Sequence, residues 1–305
     1  MSEEVSPEWI AADWGTTHLR VFAMEGARVL AQASSPKGMA SLARDEFEGA
    51  LLELIAGWLP VGRKTLVIAC GMVGSRQGWV EAPYAAVPCP PLQASAMVEA
   101  PVADPRLSVW IIPGLSQTMP ADVMRGEETQ IAGFLAGNPG FSGTLCLPGT
   151  HSKWVGIERG TVTSFGTFMT GELFALLSKS SVLRHGMADD GWDTEAFAGG
   201  VTASLARPDM LAAAFFSLRA EGLLHGLAAA SARARLSGLI IGAEIAAVRQ
   251  DVSGDVTLIG APALSAHYLA ALKLAGLDAR ATAGESLTLA GLGLARRVLT
   301  ENQKG

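Results

Sequence analysis

Asp13-Trp14-Gly15-Thr16-Thr17 sets one carboxylate two residues ahead of a Gly-Thr-Thr turn. A glycine at such a turn lets backbone N–H groups approach an anion, and two threonine hydroxyls add donors. The carboxylate would repel phosphate directly but can hold a hydrated Mg²⁺ that bridges to it. The stretch therefore reads as a phosphate-and-metal cradle, set against the plain alternative of a surface hairpin with an Asx turn. A second Gly-Thr pair stands at Gly149-Thr150, followed by His151, Ser152 and Lys153. Each pair has a further turn glycine eleven residues on, Gly26 in the first case and Gly160 in the second. Two such turns could grip a polyphosphate from both sides. Leu147 occupies the counterpart of Asp13, so only the first hairpin can carry metal.

The elements that must position these turns follow from pattern. Strands are expected at 9–13, 18–24 and 27–34, then a helix at about 44–59, where Phe47, Leu51, Leu54, Ile55 and Trp58 recur at helical spacing. Leu66–Cys70 and Val109–Ile112 are short apolar runs suited to strands covered on both faces. The proline-rich 82–105 reads as an irregular excursion. Arg125-Gly126-Glu127-Glu128 opens a helix to about 137, its acids in the first turn where the helix dipole favours them. Asn138-Pro139-Gly140 suggests a boundary between domains 1–137 and 138–305. Beyond it, strands are expected near 144–147, 152–158 and 161–168, and helices fill 170–236. Leu239–Glu244 and Val256–Pro262 read as two strand-to-helix units. A strand near 277–282 leads to a last helix at about 285–300, which can pack back on the first domain.

Composition narrows the class. The chain has 305 residues, 49% hydrophobic and 17% charged, enough for a large core in two α/β domains. A net charge of −6 argues against a nucleic-acid or membrane-surface footprint, so an anionic ligand must be held by a few focused cations or helix starts. Three cysteines without CxxC spacing read as reduced, cytoplasmic and mostly core. The P-loop, HExxH and GxSxG motifs do not occur, which disfavours P-loop NTPases, zincins and α/β-hydrolases.

Residues 13–17 resemble the first phosphate motif of the sugar-kinase, Hsp70 and actin superfamily, 147–154 its second, and 258–263 its adenosine motif. A closer resemblance, to the 2-keto-3-deoxygalactonate kinases, rests on Gly71–Trp79, Pro113-Gly114-Leu115, Met124–Gln130 and Phe168–Leu173. The resemblance implies two similar RNase H-like (actin-like ATPase) domains, each a mixed sheet with flanking helices, facing across a cleft. It implies ATP-dependent phosphorylation of 2-dehydro-3-deoxy-D-galactonate at its 6-hydroxyl in galactonate catabolism. The rivals are an exopolyphosphatase-like phosphoanhydride hydrolase and a kinase of another keto-deoxy sugar acid.

Under that resemblance Asp13 orients Mg²⁺, while Gly15, Thr16 and Thr17 in one domain and Gly149, Thr150 and Lys153 in the other hold phosphate. Glu127 and Glu128 are the candidate general bases, with Glu127 slightly preferred. Ser75 and Arg76, with Arg125, are candidates for the substrate carboxylate; Arg20 is an alternative. Gly242 and Gly260 would let helix starts approach adenosine, with Glu244 as a ribose partner. The expected partner is a small-molecule sugar acid, with no nucleic acid and no membrane, and with room for a homodimer.

Overall fold

The computed structural model describes residues 5–252 and 254–302. Its first strands are β1 (Trp9–Trp14), β2 (Leu19–Glu25) and β3 (Arg28–Ser35), followed by α1 (Phe47–Ile55). Next come β4 (Thr65–Gly71), β5 (Tyr84–Ala86), β6 (Val98–Glu99), β7 (Leu107–Ile111), the hairpin β8 (Gly114–Thr118) and β9 (Ala121–Met124), and α2 (Glu127–Gly137). The chain continues through β10 (Gly143–Leu147), β11 (Ser152–Glu158), β12 (Thr161–Phe168), α3 (Thr170–Lys179), α4 (Thr194–Ala206), α5 (Leu211–His225) and α6 (Ala229–Val248). It ends with β13 (Val256–Gly260), α7 (Pro262–Leu274), β14 (Ala279–Ala283) and α8 (Gly284–Asn302).

Two compact units result. One comprises Met1–Phe141, Glu158–Ser164 and Gly284–Gly305, the other Ser142–Ile157 and Phe165–Ala283. Their main sheets run β3-β2-β1-β4-β7-β6 and β12-β11-β10-β13-β14, so five positions match in order. β1 pairs antiparallel with β2 and parallel with β4, as β10 does with β11 and β13. In the first unit, alternate residues of the central strands face opposite layers. Ile10, Ala12 and Val67 pack with Phe47 and Leu51 of α1. Trp9, Ala11 and Ile68 pack with Leu292, Ala295 and Leu299 of α8. In the second unit Cys146, Val256 and Leu258 bury against Val201, Ile241 and Tyr268 of α4, α6 and α7.

Three expectations are corrected. The 82–105 excursion contains the short strands β5 and β6, and β5 joins β8 and β9 in a small third sheet. The equal glycine spacing in the two hairpins conceals a one-residue offset. Gly15 pairs with His18 across the first turn, whereas the Leu147–Lys153 register makes the second turn one residue shorter than the Asp13–Arg20 register makes the first. Gly26 is then the first residue of its turn and Gly160 the second.

The third correction is larger. Leu239–Glu244 is no strand-to-helix unit but the middle of α6, a 20-residue helix. A six-residue apolar run does not distinguish a buried strand from a buried helix segment. Gly242 is therefore not at an adenosine turn. It serves a helix crossing: a Cβ there would lie 2.7 Å from the Val201 carbonyl oxygen of α4, and one at Gly238 would lie 2.1 Å from that of Phe197. The first unit uses the same device. A Cβ at Gly133 of α2 would meet Leu287 O at 1.9 Å, and one at Gly291 of α8 would meet Thr129 O at 2.0 Å.

Because those obstacles are backbone atoms, Gly238→Ala and Gly291→Ala should each destabilise the fold by ~1–3 kcal/mol or more through overpacking. Gly293→Ala, with nothing within 4 Å of the new methyl, should be neutral or stabilising by up to ~1 kcal/mol from helix propensity. Melting temperatures of the three variants check this, and equal melting points would refute the crossing as a constraint.

Candidate functional site

The first unit gathers its acids at the carboxyl ends of β1 and β4. Asp13 and Cys70 are register partners on these parallel strands, as are Trp14 and Gly71. Gly71 has φ 90° and lies where a Cβ would come within 2.6 Å of Trp14 O. Only glycine suits that position. Gly126, with φ 108°, brings the start of α2 against Gly71: its Cβ would stand 3.4 Å from the Gly71 Cα. Two glycine backbones in contact thus deliver Glu127 and Glu128 to the strand end that carries Asp13.

The two glutamates are not equivalent. Glu128 is fully buried. Its Oε2 accepts from Gly126 N at 2.7 Å and its Oε1 from Thr129 Oγ1 at 3.0 Å. Burial, reinforced by the charge of Glu127, raises its pKa from 4.5 to about 8. Glu127 is half-buried and accepts from Arg125 N at 3.1 Å. Burial also pushes up the Cys70 thiol, helped by the nearby charges of Asp13 and Glu128. Asp13 forms an ion pair with Arg20, its cross-strand partner, and its other oxygen lies 4.0 Å from Cys70 Sγ. Arg20 also reaches Glu285 at 3.2 Å, so its guanidinium is shared between the two acids and is not available as a dedicated substrate cation.

Arg125 differs. It is 8% exposed, donates to Ala82 O at 2.8 Å, and lies 4.3 Å from the Tyr84 ring centroid. Its Nε and Nη1, and the buried Ser75 Oγ, have no hydrogen-bond partner among the described residues. Gly74, next to Ser75, leaves room for this guanidinium, since a Cβ there would approach Nη1 to 2.9 Å. Buried unpaired donors cost roughly 1–3 kcal/mol each, more when charged. Arg76 is exposed, and its carbonyl accepts from Arg44 at 2.7 Å.

Both Gly-Thr turns are buttressed. Residues 15–18 are held from below by Met39 N to Gly15 O and Ala40 N to Thr16 O, each 3.0 Å, leaving Thr16 and Thr17 exposed. At the second turn Glu172 N bonds Thr150 O at 3.0 Å, and His151 pairs with Glu172 at 2.6 Å. Gly171 allows α3 to approach so closely, since a Cβ would meet Gly149 O at 2.4 Å. Lys153 is buried and donates to Thr167 Oγ1 at 2.6 Å.

The second unit also holds a cavity of about 270 Å³ lined by Gly149, Phe174, Trp192, Arg233, Ile240 and His267. Trp192 and His267 stack at 3.9 Å, and the Arg233 guanidinium lies 5.1 Å from the Phe174 centroid. Gly260 ends β13, and Pro262 opens α7 on the wall of this unit's sheet. Glu244 is not a ribose partner. It is 3% exposed and accepts from Trp154 Nε1 at 2.7 Å, Tyr268 Oη at 2.8 Å and Thr170 Oγ1. Thr170 and Tyr268 line the cavity, so this buried carboxylate knits its wall together. Sequence reading missed Trp192, Arg233 and His267 because they lie singly in unrelated segments, and Tyr84 because it is embedded among prolines.

Two sheets of matching order, each led by a Gly-Thr hairpin, give two α/β units, each a mixed sheet with flanking helices. The sequence profile of the family described as 2-keto-3-deoxy-galactonokinase matches residues 13–295. A Rhizobium meliloti protein named as a 2-dehydro-3-deoxygalactonokinase is 39% identical over 300 residues, covering 95% of this chain and 97% of the relative. The Escherichia coli 2-dehydro-3-deoxygalactonokinase is 35% identical over 292 residues, covering 94% and 97%. A crystal structure from Sinorhizobium meliloti under the same enzyme name superposes with TM-score 0.88 at 39% identity, covering 95% of this chain and 99% of that one. The chain belongs to the 2-keto-3-deoxy-galactonokinase family.

A raised carboxyl pKa has a stability consequence of definite sign. Between the ordinary value of 4.5 and about 8 the folded protein keeps the Glu128 proton that the unfolded chain loses. Stability must therefore fall as pH rises through that window and level off above it. Glu128→Gln, which mimics the protonated form, should show a shallower decline. Denaturant midpoints between pH 5 and 9 check this, and parallel pH profiles for the two proteins would contradict it.

Proposed function

We propose that the chain transfers the terminal phosphoryl group of ATP to the 6-hydroxyl of 2-dehydro-3-deoxy-D-galactonate, giving the 6-phosphate and ADP, as a step of galactonate catabolism in the cytoplasm. The observation that carries the reading is the first unit's pairing of a carboxylate cluster with Arg125, a buried cation with two unpartnered donors, Nε and Nη1. A sugar acid supplies a carboxylate, and charge-assisted hydrogen bonds from the guanidinium would fix its orientation. Ser75 Oγ lies beside the same corner and adds a donor. The ring of Tyr84 backs the guanidinium from the other side.

Glu127 acts as the general base. It is the less buried of the two acids, and a base must touch the hydroxyl it deprotonates. Glu128 keeps its proton near neutral pH, anchors Gly126 N and leaves Glu127 as the charged member. Environments that push two neighbouring carboxyls apart in this way separate their roles. The 6-hydroxyl proton passes to Glu127 as the oxygen attacks phosphorus, and the bond from phosphorus to the ADP oxygen breaks.

The donor set also fits Mg²⁺. Asp13 offers a single hard oxygen donor at a strand end, and no three His, Cys, Asp or Glu side chains gather into a cage among the described residues. Mg²⁺ is usually held in this way, by one or two carboxylates with water and substrate phosphates. When bound, the ion neutralises phosphate charge. Gly15, Thr16 and Thr17 of the first unit and Gly149 and Thr150 of the second present the phosphate donors. The cavity lined by Phe174, Trp192, Arg233 and His267 takes the nucleoside, with Gly260 at its strand end.

A coupled ADP-release assay across a panel of keto-deoxy sugar acids tests the reading. Turnover should be greatest with 2-dehydro-3-deoxy-D-galactonate, and no turnover with any of them would overturn it. In the same assay Glu127→Gln should lower kcat by ~10²–10⁴-fold, while Glu128→Gln stays within about tenfold because it preserves the protonated form. The reverse order would assign the base to Glu128.

A further inference from the structure

The outward face of α5 is apolar where a solvent-facing helix should be polar. Phe216, Leu223 and Leu224 are 64%, 68% and 74% exposed, and Met210, just before the helix, is 46% exposed. Ala212 and Ala213 are exposed beside them. At 100° per residue, positions 212, 213, 216, 220, 223 and 224 fall on one side of the helix, with buried Leu218 opposite. The only charged or titratable side chains on the helix are Arg219, Glu221 and His225, none on that stripe. Glu221 is already paired with Arg235 at 2.6 Å.

The stripe is complementary to itself. Large and small side chains on it are related by reversal about residue 218. An antiparallel second α5 sets Phe216 over Ala220, Leu223 over Ala213 and Leu224 over Ala212. Each contact recurs by the two-fold axis, as an isologous interface requires. Alanines opposite the bulky residues let the two helices approach to about 8–10 Å. The exposed side chains amount to roughly 500 Å² of apolar surface, the size of the largest and often functional patch on a monomer. Pairing two copies buries roughly 1,000 Å², the lower bound for a specific interface.

We propose that the protein forms a two-fold dimer through antiparallel packing of α5 against α5 of a second copy. Sedimentation velocity of the full chain should show a species of twice the protomer mass at micromolar concentrations. Phe216→Glu and Leu223→Glu, both at exposed positions, should each return it to monomer with a melting temperature within a few degrees of wild type. Geometry is checked separately by mixing Ala213→Cys protein with Leu223→Cys protein. Oxidation should link the two variants to one another well above the wild-type background from the native cysteines. A wild-type monomer at 100 µM and below overturns the proposal. So does a dimer that survives both glutamate variants, or a monomer that sediments with lipid vesicles through this face.

Discussion

Water is kept from one carboxyl group at the start of α2, and the chemistry of the first unit is arranged around that exclusion. Glu128 is fully buried, and no cation pairs with it among the described residues; Gly126 N and Thr129 Oγ1 donate to it. In such surroundings the neutral form wins, because desolvating a charge outweighs two neutral donors. The consequence is an acid that behaves as a structural hydroxyl. It caps its own helix start, spares Glu127 a like-charged neighbour and fixes the approach of α2 to Gly71. Bare glycine backbones at both positions make the approach possible. A methyl at Gly71 would collide with Trp14 O, and the strand ends and helix start would then separate.

The two units are variations on one plan. Each has a hairpin ending in a Gly-Thr turn, a five-strand order in common, and a pair of helices crossing through glycines. The divergence is confined to the polar ends. Asp13 faces Arg20 across the first hairpin, and at the matching register of the second Leu147 faces Lys153. The first pair is an ion pair, and the second lacks the acid. Unit two instead spends its buried carboxylate, Glu244, on the wall of an aromatic cavity.

Much of this was legible in residue order. The hairpins announce themselves through apolar runs punctuated by glycine, and α2 through two acids in its first turn. Asp13 and Ser75 could be named because each follows a buried run, where α/β sites form, and Arg125 because it opens the helix that carries the two acids. What stayed hidden has a common physical cause. Leu239–Glu244 carries the apolar density of a strand, and only the long Ala-rich context with Gly238 and Gly242 four apart makes it a crossing helix. Burial of an acid leaves no mark in sequence, so Glu128 reads there as a candidate base beside Glu127 and Glu244 as a ribose partner. The cavity of Phe174, Trp192, Arg233 and His267 is assembled from four separate segments, and no local motif encodes it. The equal spacing of Gly26 and Gly160 was real, yet their turn positions differ by one.

Burial should let Glu128 hold its proton to near pH 8 beside Glu127. The direct measurement is a ¹³C NMR titration of the protein labelled at glutamate side-chain carboxyls, with the Glu128 resonance assigned through Glu128→Gln. That carboxyl should titrate with a midpoint near 8. A midpoint at the ordinary glutamate value near 4.5 would contradict the division of roles between the two acids.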